Sequence, residues 1–380
     1  MFKGKYLLSV FTLVGTIIGA GIFGLPYVAS RAGVPLALLY MILVVVIAFL
    51  IHVFYAEIIL RTKNNLLLPG LTKKYLGKKA EVIVFISLIF GITGALFAYI
   101  ILSGSFLKIL TGPFINIPET LLVVISWAIL SLLVLLGTKT ISKVELTLNL
   151  LFITIIIGFL FFSFSSMEVN NFTSFDLNEF FLPFGVAMFS FFGWSAIPCV
   201  LGILKTPEEK AKIGKIIGTA LAISFAVYLV FILTVVGVSG GATTPDSFTG
   251  LIPFLGQNII FLGALFGLIS CATSYIIIAG YFRETLTFDF NISIPLSFII
   301  ACGLPLLLVF SGVIQFIEAL ALIGSFMGMI EGIAIILIFK KIKKVGNRMP
   351  EYTLKVPSFV FWVIPVILIS GAVSQLIYFF

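Results

Sequence analysis

Charge is what this chain has least of. Only 10% of its 380 residues are Asp, Glu, Lys or Arg, against 61% hydrophobic and a mean hydropathy of +1.27. No water-soluble globular domain supports that balance. Histidine occurs once, and a lone His52 builds neither a metal cluster nor a relay, so a packed imidazole without a functional role is the plain reading. The three cysteines, Cys199, Cys271 and Cys302, all fall in apolar runs without a Cys-x-x-Cys, which excludes a disulfide framework and leaves small packing residues. Paired carboxylates are missing too, since Glu318 and Glu331 would stand about 20 Å apart along one helix. An enzyme is not expected, and neither is a cofactor. A channel would want a filter motif or a gating-charge helix, and neither is present.

What the chain has is length in apolar runs. Hydropathy and turn signals predict an all-α polytopic membrane protein with eleven transmembrane segments: 6–31, 34–61, 81–111, 118–138, 143–166, 180–203, 212–238, 256–282, 293–311, 314–340 and 357–379. The first follows Lys3 and Lys5 without a small-residue cleavage site, so it reads as a retained helix. With the N-terminus in the cytoplasm, all 23 basic residues except Arg31 and Lys108 fall inside, as the positive-inside rule expects, and the C-terminus falls outside. The net charge of +8 then faces the anionic inner leaflet of the cell membrane and needs no nucleic-acid partner. No obligate protein partner is implied; the surroundings are lipid. Two connections look structured: an amphipathic helix at 66–76 on the inner face, and 240–253, where Thr244-Pro245 is the expected helix start of a segment over an outer vestibule. Glu57 and Glu318 are expected at the interfaces.

Two stretches contradict the helices that hold them. GTIIGAGIFGLPY, residues 15–27, crowds Gly19, Gly21, Gly24 and Pro26 into segment 1, where local unwinding costs little. FFGWSAIP, residues 191–198, repeats the Gly-x4-Pro spacing in segment 6, with Gly193 and Pro198 answering Gly21 and Pro26. Unwound backbone at membrane depth survives only where it is buried in protein or lines a polar cavity. Paired interruptions in two halves point to the binding site of an inverted-repeat transporter.

These two stretches, with AYIILSGSFL (98–107) and GGATTPD (240–246), resemble the amino acid/auxin permeases and bacterial aromatic amino acid permeases of the amino acid-polyamine-organocation superfamily. The resemblance runs over nearly the whole chain. It implies a leucine-transporter-like fold with two five-helix inverted repeats. The first repeat would cover 1–166, an outer linker 167–179, the second repeat 180–344, and an inner linker with the last helix 345–380. Segments 1 and 6 would be broken, and access would alternate by rocking of segments 1, 2, 6 and 7.

The implied function is secondary active import of a neutral amino acid, aromatic or aliphatic, by cation symport. A broken helix can hold a zwitterion without charged side chains. The amides of Ala20, Gly21 and Ile22 would take the carboxylate, with Gly19 and Gly21 allowing close approach. Carbonyls near Thr16 and Ile17, and others around Phe189 and Phe192, would take the ammonium. Phe189, Phe191, Phe192, Gly193 and Trp194 would shape the side-chain pocket, with Tyr99 as a hydroxyl partner. The breaks hold no Asp, Glu, Lys or Arg, which disfavours a charged substrate. Ser270, Thr273 and Ser274 share one helical face, and in the resembling fold such hydroxyls join carbonyls of helix 1, here Gly15 and Ile18, around sodium. Residues 148–155 lack the lysine that replaces sodium in some proton-coupled relatives, so sodium is favoured. The alternatives are proton coupling through the intramembrane Glu331, an amino acid exchanger, and, remotely, a membrane-embedded amino acid sensor.

Overall fold

The computed structural model describes residues 2–63, 66–135, 151, 154–173, 175–288 and 290–380. Lys139 and Lys143 lie outside them, as does most of the 148–155 stretch and the first part of segment 5. All regular structure among the described residues is helical.

The first segment is two helices, α1 (Phe2–Ile17) and α2 (Gly21–Ala32), bent by 55° at the expected break. A single residue, Gly33, then turns the chain into α3 (Val34–Leu60); its φ of 103° is open to glycine and strained for other residues. The short α4 (Leu68–Leu76) forms where the amphipathic helix was expected and buries Leu68, Leu71 and Tyr75. It is followed by α5 (Lys78–Thr111), α6 (Glu119–Leu135) and α7 (Thr154–Ser166). Segment 6 is α8 (Leu182–Phe191), a 3-10 turn at Trp194–Ala196 and α9 (Ile197–Ile203). The rest comprises α10 (Pro207–Lys210), α11 (Ile213–Ser239), α12 (Ile252–Leu255), α13 (Gln257–Phe288), α14 (Ile294–Ser311), α15 (Phe316–Val345) and α16 (Val360–Phe379). Among the described residues eight helices are long and apolar enough to span a membrane, and nine if the bent α1–α2 pair is one span. α6 and α7 are shorter apolar helices in the places of segments 4 and 5.

The bundle is organised around the broken pair. α2 packs on α8, α1 on α11 and α9, and α3 on α8 and α11, while α5 runs along α13 and α15 on the other side. Exposed leucine, isoleucine and phenylalanine side chains on α3, α6, α14 and α16 face outward, as lipid requires and water would not favour.

The two ends of the bundle close by different means. At the end carrying the N-terminus, Lys5 donates to both Glu209 oxygens at 2.8 and 3.1 Å. Glu209 also accepts the Lys205 and Thr206 amides. These contacts, the Lys5 hydrogen bond first, hold its carboxyl at about 2, below the ordinary 4.5. Glu57, near the end of α3, is fully buried within the protein, paired with Arg61 at 2.8 Å and accepting the Leu354 amide at 2.8 Å. The connection between α15 and α16 lies across this end, and helical backbone is not its structure, so its polar groups need such partners. At the far end Glu318 is half-buried and caps α15 through Gln315.

The 240–253 connection departs from its expected helix start. Thr244-Pro245 is non-helical and lies between 3-10 turns at Gly240–Ala242 and Thr249–Leu251. The Asp246 carboxylate accepts from the Thr244 hydroxyl and from both the amide and hydroxyl of Thr249, so it closes a turn and caps the next one. Ser247 is thereby turned inward and donates to the Phe23 carbonyl at 2.6 Å. Phe248 enters a buried cluster with Phe23, Phe106, Phe159 and Phe231, ring centroids 5.0–6.0 Å apart.

Candidate functional site

At the first break the α-helical ladder stops when the Ile18 amide donates to Val14, and it restarts with tighter bonds, Ile22 to Gly19 at 3.4 Å and Phe23 to Ala20 at 3.2 Å. Of the three amides expected to meet a carboxylate, that of Ile22 is therefore engaged by its own turn. Carbonyls of residues 15–18 leave the ladder here, the condition for binding a cation or an ammonium. At the second break Phe192 is extended (φ −85°, ψ 96°) and Gly193 follows at φ −123° and ψ 18°.

The breaks touch. A Cβ on Gly21 would come 2.8 Å from the Ser190 Cα, and one on Gly193 would come 2.6 Å from Ile17 Cγ1. Glycine is used at both because another helix lies where its side chain would be. The Tyr99 hydroxyl lies directly against Gly19, and its polar neighbours are the Ala20 backbone and the Ser274 side chain. Tyr99 thus links the first break to the α13 hydroxyls of Ser270, Thr273 and Ser274, which are half-buried. Thr273 donates to the Ser270 carbonyl at 2.9 Å, and Gly15 and Ile18 are buried on α1 and just past it.

Two residues at this junction were not legible as functional. The Tyr228 hydroxyl on α11 lies 2.8 Å from the Ile17 carbonyl and 2.8 Å from the Ser190 carbonyl, sharing one hydrogen between the two broken segments. His52, read from sequence as without a role, accepts the Gly193 amide at 3.1 Å. Neither lies in a motif; only the fold brings α3 and α11 to the breaks. Thr16 is half-buried, its hydroxyl donating to Thr12.

The aromatic residues of segment 6 divide. Phe189 and Phe192 are half-buried toward α15, where Gly324 gives room to the Phe189 backbone and Gly328 to the Met188 and Phe192 side chains. Phe191 is buried against Tyr228, and Trp194, expected in the pocket, is instead buried edge-on against Tyr55 of α3 at 5.4 Å. Cys271 and Cys302 are buried, whereas Cys199 is exposed and not a core residue. Glu331 is fully buried; Ser87 donates to one oxygen at 3.4 Å, and the other has no hydrogen-bond partner among the described residues. A cavity of about 650 Å³ lies elsewhere, between α4 and the ends of α5 and α13, with the Lys73–Glu81 pair in its wall.

The two breaks touch, and neither holds a charged side chain. The sequence profile of the tryptophan/tyrosine permease family matches residues 3–374. The chain belongs to that family. The resemblance read from the motifs thereby holds at the level of the superfamily, while the family is the tryptophan/tyrosine permeases. The permease is a secondary active amino acid transporter and not an enzyme. Its fold is similar to that of MhsT in complex with L-phenylalanine, with a TM-score of 0.72 at 15% identity over 98% of both chains. It is also similar to a manganese transporter of Eremococcus coleocola bound to an aromatic bis-isothiourea compound, with a TM-score of 0.67 at 14% identity over 98% of this chain and 85% of that one. No protein of curated function matches the sequence. The fold is therefore leucine-transporter-like and all-helical, with broken segments 1 and 6.

Proposed function

We propose that this permease imports neutral aromatic amino acids across the cell membrane by sodium symport, with its N-terminus in the cytoplasm and its C-terminus outside. The observation that carries the reading is the contact between two helix breaks, neither of which holds a charged side chain, with the half-buried Phe189 and Phe192 at the second. The amides of Ala20 and Gly21 would hold the carboxylate, and the carbonyls of Thr16, Ile17 and Phe192 the ammonium. The family and the phenylalanine bound to MhsT support an aromatic side chain.

Support for sodium comes from the hydroxyl face of α13. A hydroxyl that donates its hydrogen to a helix carbonyl, as Thr273 does, turns its lone pairs outward. With Ser270, Ser274 and the carbonyls of Gly15 and Ile18, that makes an all-oxygen set suited to a hard cation. The second reading is proton coupling at Glu331, favoured by the unpaired carboxyl oxygen buried on α15.

Uptake of radiolabelled tryptophan, tyrosine, phenylalanine, leucine and lysine into proteoliposomes, under a sodium or a proton gradient, tests both. The expected result is sodium-driven uptake of the aromatic substrates that Thr273→Ala removes. Proton-driven uptake lost in Glu331→Gln would establish the second reading instead.

A further inference from the structure

We propose that His52 is a positioning residue of the substrate site: by accepting the Gly193 amide it sets the direction of the Phe192 carbonyl, a group that binds the substrate ammonium. The inference rests on the amino acid reading above and adds a residue that touches no substrate.

The tautomer follows from the two ring contacts. His52 Nδ1 lies 2.6 Å from the Ala48 carbonyl, which can only accept, so Nδ1 carries the hydrogen. Nε2 is then a bare lone pair, and the Gly193 amide donates to it at 3.1 Å. The imidazole is fully buried, held at both nitrogens and edge-on to the Phe192 ring at 6.5 Å. A protonated ring, or the other tautomer, would set N–H against N–H.

The consequence lies one bond away. Across a planar trans peptide the carbonyl and the following N–H point in opposite directions. With the Gly193 N–H drawn onto α3, the Phe192 carbonyl is turned away from α3. Phe192 has left helical geometry, so no downstream helix ladder fixes that peptide plane. It also stands at the C-terminal end of α8, where the helix dipole favours a cation. Without an acceptor at residue 52 the Gly193 amide would be a buried, unsatisfied donor, and rotation of the peptide would relieve it at the expense of the carbonyl.

Two measurements test this. Because histidine occurs once, ¹⁵N-histidine labelling of the wild-type permease in nanodiscs reports His52 alone. The expected spectrum shows one protonated nitrogen, Nδ1, and one bare, hydrogen-bonded Nε2; a protonated Nε2 overturns the proposal. The second measurement compares binding of L-tryptophan with that of 3-indolepropionate, the same molecule without its ammonium. His52→Leu is expected to weaken tryptophan about 10- to 100-fold and to leave 3-indolepropionate within about 2-fold, because only the ammonium contact is lost. His52→Gln keeps an acceptor and a donor and is expected to recover tryptophan binding to within about 5-fold of wild type. Equal losses for both ligands, or a Gln variant no better than Leu, overturn the positioning role. Wild type that binds no amino acid overturns the substrate reading and the ammonium role with it, while the ¹⁵N spectrum still decides the His52–Gly193 contact.

Discussion

The two breaks lose the same hydrogen-bond ladder by different means. The first bends the chain by 55° through glycine-rich backbone, whereas the second stays within one 22-residue span, Leu182–Ile203. Glycine makes the first turn cheap, and Gly21 packs on both the side chain and the Cα of Ser190. Tyr228 serves both, at the Ile17 carbonyl of the first and the Ser190 carbonyl of the second, and the second has His52 at the Gly193 amide besides. The first thus relies more on its own glycines and the second more on a partner brought by the fold.

Substitutions can separate the two. The largest effect is expected at Gly21→Ala, whose methyl meets a backbone atom that cannot rotate away. Overpacking of that kind costs about 1–3 kcal/mol, and misplacing the site by about 1 Å costs roughly 100-fold in rate, so uptake should fall by about that factor. Proteoliposome uptake and a melting curve would measure both.

Tyr228→Phe comes next. It removes the one hydrogen shared by the Ile17 and Ser190 carbonyls and leaves two buried acceptors, a loss of about 1–3 kcal/mol visible as a lower Tm. A Tyr228→Phe protein as stable as wild type would show that the breaks are held apart from each other. Gly193→Ala should be milder, within about 10-fold in uptake, because its methyl meets a side-chain carbon, Ile17 Cγ1, rather than backbone. Ile17→Ala in the same chain removes that carbon and should restore part of the activity.

The smallest effect is expected at the Lys5–Glu209 pair, at the end of the bundle, where Lys5 is partly exposed. Glu209 has its carboxyl held at about 2, below 4.5, so its contribution is complete above about pH 4.5 and is lost as pH falls toward 2. Melting curves from pH 5 to 8 should therefore be indistinguishable between wild type and Glu209→Gln in their pH dependence. A Tm difference that changes across that window would place the carboxyl in a different environment.

Much of the architecture was legible in sequence because a bilayer imposes a simple rule: apolar runs must be helices, and a glycine-proline interruption inside one must be sheltered. Gly21 and Gly193 marked the breaks correctly for that reason. For Trp194 the sequence names no packing partner, because an aromatic beside a break has two faces of the helix open to it; the fold packs it on Tyr55. Glu57 was expected at the interface from its place near the inner end of its helix; its partner there, the Leu354 amide, lies almost 300 residues along the chain and could not be read from it. Thr244-Pro245 has the composition of a helix start, and Asp246 moved that start by capping Thr249.

By itself the sequence determined that this chain lives in a membrane, where it unwinds, and that no charge waits at those points, since hydropathy and backbone freedom are local properties. Only the tertiary structure decided that the two breaks touch, that Tyr228 joins them and that His52 holds the second, because a buried hydrogen bond needs its partner at about 3 Å and no pattern in one helix says which helix will supply it.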